Sequence, residues 1–391
     1  MNTKRFLVLL LTLLLCWCSG LTLAEETIED EARLAVDDDS GSAKNKKGKS
    51  PLVAEVEKLY KQMGFHIPVQ APDSLEGRKP LYTANMLKSA NLRDVTDEKV
   101  YTKLGNVPEF AAIEIYEVQP NWVLTQYKDK IGWLKRIFIN EATIKAVDPA
   151  HTAPYGVQKP KYIATLTETS LVYNRPDKSG TPFKIPVETG AKIAVLDFEE
   201  GFAKVLIWRD YGYIDAAVLT DVTRVAPSDV PLNEDTPIAA FNSFFEHSMG
   251  LESNDSRVKN IAVSCDYMSG VIQPGESFDF NRIVGPYKKS KGYHPAPVLI
   301  DGGSQLGYGG GTCQSSSTMY NALLQLPHVA ITYRRPHGPA SAKYLPQHMD
   351  AAVGNSDLNF RFRNDYSFPI RIVAESVNGS LFIAVYKGNA E

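Results

Sequence analysis

The sequence predicts a multidomain chain in which two small all-β barrels are followed by an α+β domain. Three observations lead there. A repeat with a fixed offset of 80 residues joins two β-rich stretches, a proline-rich stretch follows them, and a glycine-rich turn opens a helix-like segment beyond residue 300.

The amino terminus is read first. Lys4 and Arg5 precede an apolar run from Phe6 to Leu15, and Thr22 and Ala24 offer small residues before Glu25. That order is the layout of a secretory signal peptide, expected to occupy residues 1–24. The other reading is an uncleaved anchor, since Phe6 to Ala24 nearly reaches the length of a bilayer span. No later stretch is apolar enough to cross a membrane. Cleavage leaves 367 residues and shifts the formal charge from −3 to −5. A nearly balanced charge excludes a nucleic-acid footprint, so no nucleic-acid partner is expected. Of four cysteines, only Cys265 and Cys313 follow the signal; in an exported chain they could form a disulfide.

Residues 25–50 pass from an acidic to a basic run and lack aromatics, which predicts a disordered spacer. Leu52, Val53, Val56, Leu59 and Tyr60 recur at helical spacing, so 51–77 is expected to hold a short helical segment.

The repeat comes next. Ile113 aligns with Ile193, Trp122 with Phe202, Gly132 with Gly212, Trp133 with Tyr213 and Ile139 with Leu219. Both copies show short β-rich runs separated by turn residues. Residues 78–148 and 157–224 are therefore two tandem β units. The first contains "NWVLTQYKDKIGWLKRIFI", an aromatic, an alternating strand, a turn, Gly-Trp and a strand, and it resembles bacterial SH3-like domains. The resemblance implies a module that binds cell walls or peptides. Trp122 and Trp133 are themselves expected to pack in the cores, because aromatics carry much of the burial energy of small domains.

Val225 to Pro237 holds three prolines and three acidic residues and reads as a linker, 225–237. The last domain spans 238–391. Within it "YGGGTCQSSSTMYNALL" carries the chemistry. Gly309, Gly310 and Gly311 allow backbone conformations closed to other residues. Ser315 to Leu324 predicts a helix with Met319, Tyr320, Leu323 and Leu324 toward a core. Cys313 falls at its start, where unpaired N–H groups and the macrodipole favour a thiolate and could bind an oxyanion. A nucleophile is one reading of Cys313; a buried small hydrophobe or half of a disulfide with Cys265 are the others. The Lys-Ser/Thr of a phosphate-binding loop and the His-Glu-x-x-His of a zinc site are absent, so neither cofactor nor metal is expected.

Five blocks, "VIQPGESFDFNRIVGP", "GYHPAPVLIDG", "GGGTCQSSSTMYNALL", "YRRPHGPASAKYLP" and "DAAVGNSDLNFRFRN", follow one another in an order and spacing that resemble the VanW family. The resemblance covers about Arg257 to Lys387 and implies an α+β VanW-like domain at a cell wall. Some multidomain members look like a cysteine class of L,D-transpeptidase. Carried over by residue, the resemblance implies catalytic roles for Cys313, His337 and Asp350, as nucleophile, base and orienting group. It implies substrate-binding roles for Gly309, Gly310, Gly311, Gln314 and Arg334, with Arg334 a candidate ligand for a stem-peptide carboxylate. His294, His328 and His348 are poorer candidates for the base. Gly338 stands where the family often has Ser, His337 to Tyr344 is one residue longer than usual, and His348 stands where Gly is common. The expected function is an exported protein that binds and remodels peptidoglycan stem peptides through a cysteine nucleophile. A non-catalytic wall-binding or glycopeptide-resistance accessory protein is the alternative, and a cysteine amidase or peptidase the third reading.

Overall fold

The computed structural model describes residues 66–231, 233–247, 252–300, 303–337, 342 and 344–389. The expected signal peptide, the spacer and the helix expected within 51–63 lie outside the described residues. Residues 66–77 contain no helix, in keeping with Pro68 and Pro72, and Gln70 makes a β-bridge to Val95. The described chain is β-rich, with few helices arranged around several sheets. No helix among the described residues is long and apolar enough to cross a membrane.

The first β unit holds β1 (Tyr82–Asn85), β2 (Ala90–Arg93), β3 (Lys103–Val107), β4 (Ala112–Val118), β5 (Trp122–Tyr127), β6 (Lys130–Lys135) and β7 (Lys145–Ala146). They form one sheet in the order β3-β2-β6-β5-β4-β1-β7. The second holds β8 (Tyr162–Leu166), β9 (Lys192–Val195), β10 (Asp197–Glu199), β11 (Phe202–Ile207), β12 (Asp210–Asp215) and β13 (Leu219–Arg224). These make two three-stranded sheets, β10-β11-β12 and β13-β8-β9. No sheet among the described residues closes into a barrel, so the expected barrels are open sheets here.

The repeat is nevertheless visible in hydrogen-bond register. In the β5–β6 hairpin Trp122 faces Lys135 and Tyr127 faces Lys130. In the β11–β12 hairpin Phe202 faces Asp215 and Ile207 faces Asp210, each pair 80 residues further on. The turns also match, with Lys128 at φ 56° and Trp208 at φ 55°, the left-handed conformation that tight hairpins require. Each hairpin is followed by a 3-10 turn, Arg136–Phe138 and Ala216–Val218. Trp122 and Trp133 are buried and pack with Leu124.

In the last domain β14 (Ala239–Phe244) leads to α1 (Glu252–Met268), β15 (Gly270–Ile272), β16 (Ser277–Asp279) and the single turn α2 (Phe280–Ile283). Then come β17 (Pro295–Ile300), β18 (Gly303–Tyr308), α3 (Thr312–Leu323), β19 (Val329–Arg334), β20 (Phe360–Asn364), β21 (Ile370–Val377) and β22 (Ser380–Lys387). The main sheet runs β14-β22-β21-β15, all antiparallel. A second sheet runs β16-β20-β19, and β17–β18 form a two-stranded hairpin. α1 packs on β21, and α3 on β14 and β22. Between the layers lies an aromatic core in which Phe278 stacks on Phe362 and Tyr320 meets Phe360 edge-on.

The two ends of the expected linker meet: the Ala226 N–H donates to the Pro237 carbonyl, and Val225 and Ala226 are buried. The cores on either side of it exchange side chains. Phe244 of β14 packs inside the second β unit, while Leu206 of β11 packs with the last domain. The Ala194 N–H donates to Asn242 Oδ1 at 3.0 Å, and Lys192 pairs with Glu375 at 2.7 Å.

Candidate functional site

α3 begins where the sequence predicts a helix, three residues earlier than expected. Its N-cap, Gly311, has φ 108°, a conformation L side chains rarely adopt. A Cβ on Gly310 would stand 2.5 Å from the Pro297 carbonyl oxygen. Asn260 of α1 fixes this turn, donating to the carbonyls of Gly310 and His294 and accepting from the His294 N–H. Gly309 is buried too, against Tyr287. The three glycines are thus closely packed, against Tyr287, Pro297 and α1.

The helix is buried on nearly all sides. Met319 and Leu323 face the apolar core as expected, but Gln314, Ser315, Ser316, Ser317, Thr318 and Asn321 are buried as well. The polar face grips one segment of chain. Ser316 Oγ donates to the Ala351 carbonyl at 2.5 Å, Ser317 Oγ accepts from the Ala351 N–H at 2.9 Å, and Asn321 Nδ2 donates to the Met349 carbonyl at 2.7 Å. On the other side the Ala352 N–H donates to the Arg335 carbonyl at 2.7 Å. Residues 349–353 are therefore clamped between α3 and the exit of β19, which brings Asp350 beside His337.

Cys313 lies one residue into α3 and is partly buried. Its thiol donates to the Val353 carbonyl at 3.3 Å, and the Val353 N–H points back at the sulfur at 3.5 Å. The His337 ring lies against it. Asp350 Oδ2 is 2.7 Å from His337 Nδ1 and accepts from the His337 N–H at 2.7 Å, which leaves Nε2 free of Asp350, with Cys313 near enough to act on the ring. Burial pulls the His337 pKa down, but hydrogen bonds to Asp350 and Cys313 outweigh it and push it up to about 10. Burial also works against the Asp350 carboxylate, whose side chain is 1% exposed, yet the His337 contacts and the Arg334 charge hold its pKa below the usual range. Among the described residues the Cys313 N–H has no hydrogen-bond partner, whereas those of Thr312, Gln314 and Ser315 are bonded to Gly309 and Gly311 carbonyls.

Two residues read as substrate ligands are spent on the protein itself. Gln314, fully buried, donates to Ser243 and the Phe244 carbonyl and accepts from Arg257 at 2.7 Å. Arg334 donates from Nε to the Asp350 carbonyl at 2.7 Å, from Nη2 to the His348 carbonyl at 2.8 Å and from Nη1 to Glu141 at 3.0 Å. Arg334 thus ties residues 348–350 to Glu141 of the first β unit. His294 is exposed, and His328 sits 3.9 Å from Asp229; neither reaches Cys313.

The sequence reading missed two tyrosines. The Tyr287 hydroxyl donates to Asn281 at 2.8 Å, and Tyr344 lies near Ser317. In both, burial and then the neighbouring Cys313 raise the hydroxyl pKa. Tyr344 stands inside one of the motif blocks quoted above and Tyr287 directly follows another, which was the available signal. Cys265 is free, as is Cys313, so no disulfide joins them; burial pushes the Cys265 thiol up to about 12. Among the described residues no cluster of three or more His, Cys, Asp or Glu is placed to hold a metal ion.

The stretch that carries all of this has relatives. Residues 256–386 match the family model described as VanW like protein. The VanW-like stretch is 39% identical over 138 residues to the uncharacterized protein YoaR of Bacillus subtilis (strain 168), which covers 35% of this chain and 45% of that protein. It is 25% identical over 154 residues to the Vancomycin B-type resistance protein VanW of Enterococcus faecalis (strain ATCC 700802 / V583), covering 36% of this chain and 54% of that one. The chain spans about half the length of the curated relatives it matches. The solved structure of NlpC2 from Trichomonas vaginalis pairs with 80% of this chain and 99% of its own, at 9% identity. Its TM-score of 0.14 is too low to carry an argument. Cys313, His337 and Asp350 all fall inside the VanW-like stretch.

Proposed function

We propose that this chain is an exported cell-wall protein that remodels peptidoglycan stem peptides by acyl transfer through Cys313. The observation that carries the reading is the contact order thiol, imidazole, carboxylate across Cys313, His337 and Asp350. With the proton already held on His337, the Cys313 sulfur attacks a stem-peptide carbonyl. The unpartnered Cys313 N–H stands at the helix start, where an oxyanion would be stabilised. Collapse breaks the C–N bond, His337 returns the proton to the leaving D-amino acid, and a thioester remains on Cys313. An amine of a second stem then attacks the thioester, passes a proton through His337 to the departing sulfur and forms the new cross-link. Water as acceptor would make the same residues an amidase or peptidase. The resistance protein among the relatives supports a wall-related role. The matched hairpins of the two β units support reading them as SH3-like modules that hold the chain on the wall.

The test is intact-mass detection of an acyl adduct. The full chain is mixed with a stem tetrapeptide bearing a terminal D-amino acid, with and without an amine acceptor. A thioester that is lost in Cys313→Ser and discharged faster by the amine supports transfer. Discharge at one rate with or without amine favours hydrolysis. No adduct on a free, alkylatable Cys313 leaves the accessory role.

A further inference from the structure

Among the described residues outside the VanW-like stretch, Glu141 bonds the arginine that holds Asp350. Glu141 opens the 3-10 turn Glu141–Thr143 of the first β unit, a turn capped by the Asn140 side chain. Its Oε1 lies 3.0 Å from Arg334 Nη1, and its Oε2 lies 3.4 Å from His348 Nδ1. His348 adopts φ 66°, in the left-handed region uncommon for residues other than glycine. Its Nε2 donates to the Arg136 carbonyl of the same β unit at 3.1 Å.

We propose that Glu141 is a positioning residue for the Cys313–His337–Asp350 site, so that the first β unit completes a site whose reacting groups all lie in the last domain. The proposal rests on the functional reading above. Its physics is a competition for Asp350. Arg334 Nη2 stands 3.6 Å from Asp350 Oδ1, an ion pair without a direct hydrogen bond, while its Nη1 is held by Glu141. Arg334 is 14% exposed at its side chain, so a guanidinium released by Glu141 has little water to turn to. The nearest remaining anion is Asp350. A closer Arg334 would draw the carboxylate from the His337 ring and weaken the contact that keeps a proton there. His348 adds a second hold, since its carbonyl is tied to Arg334 and its ring to the first β unit two residues before Asp350.

The experiment uses the full chain and iodoacetamide, with Cys313 alkylation followed by peptide mass across pH. Glu141→Gln should slow alkylation at neutral pH about threefold to tenfold, in the lower part of the coupling found between residues of one network. It should also move the His337-dependent alkaline limb of the profile to lower pH. Glu141→Asp, which keeps the charge, should recover part of both. A wild-type rate and profile in Glu141→Gln would overturn the proposal, as would equal losses in Gln and Asp variants, which would mean packing alone. If Glu141→Gln does not fold, His348→Asn carries the test, because Asn tolerates the left-handed backbone and removes the ring contacts. A smaller loss in the same direction supports the proposal, and wild-type behaviour overturns it. Insensitivity of the wild-type rate to His337→Ala is a different result; it overturns the reading of the site itself.

Discussion

Asp350 Oδ2 receives two hydrogen bonds from one residue, 2.7 Å from both the ring Nδ1 and the backbone N–H of His337. The backbone bond fixes where His337 begins and the ring bond fixes which way the imidazole faces. One carboxylate thus sets both the position and the ring orientation of the group beside Cys313.

The two thiols should separate cleanly by reactivity. Cys265 is 4% exposed with its pKa pushed up to about 12, whereas Cys313 is partly exposed beside an imidazole. Iodoacetamide at neutral pH should label Cys313 first, and the protein lacking residues 1–24 should show two titratable thiols when unfolded without reductant. Labelling of Cys265 ahead of Cys313 would contradict the geometry.

His337→Ala should lower the rate of acyl-adduct formation by about 10²–10⁴-fold, the usual contribution of a positioned base. Asp350→Asn should also slow it, because an amide can accept the His337 bonds but cannot hold the proton on the ring. Single-turnover mass spectrometry on both variants checks this. Equal rates in wild type and His337→Ala would remove His337 from the mechanism.

The histidine gives stability a sign that can be read against pH. Its pKa rises from 6.5 to about 10 on folding, so the folded state binds the proton more tightly. The stabilisation from His337 should be complete below about 6.5, fall as pH climbs toward about 10 and be absent above it. Asp350 has the opposite sense: its depressed pKa gives stability that is present at neutral pH and lost in acid. Urea melts of wild type and His337→Gln across this interval should converge at the alkaline end. Curves that stay parallel would contradict the assignment.

Gly310→Ala should destabilise the fold by about 1–3 kcal/mol, the cost of overpacking, because its Cβ would meet the Pro297 carbonyl at 2.5 Å. Chemical denaturation measures it. A neutral substitution would mean that the β17–α3 contact yields more readily than the geometry implies.

The 80-residue repeat was legible because hairpin register repeats with it, down to the left-handed turn residues Lys128 and Trp208. The start of α3 and the meeting of Cys313 with His337 and Asp350 were legible through the motif blocks. Sheet closure was not, since strand alternation says which residues face inward but not whether the first strand meets the last. The bonds that Gln314 and Arg334 make within the protein were not legible for a related reason. A polar side chain near a nucleophile looks the same in sequence whether it faces a ligand or a buried carbonyl. The uncharged run Gln314 to Thr318 held a clue, because a helix polar on that face without charge suits a buried network better than solvent.

The exchange of Phe244 and Leu206 across the 225–237 loop has a consequence for how the molecule comes apart. Each half keeps a side chain of the other in its interior, so neither can open without uncovering both. A protease that cuts the loop should leave a nicked protein whose pieces co-elute until denatured. Amide protons of β11 and β14 should exchange with solvent in one shared event rather than two.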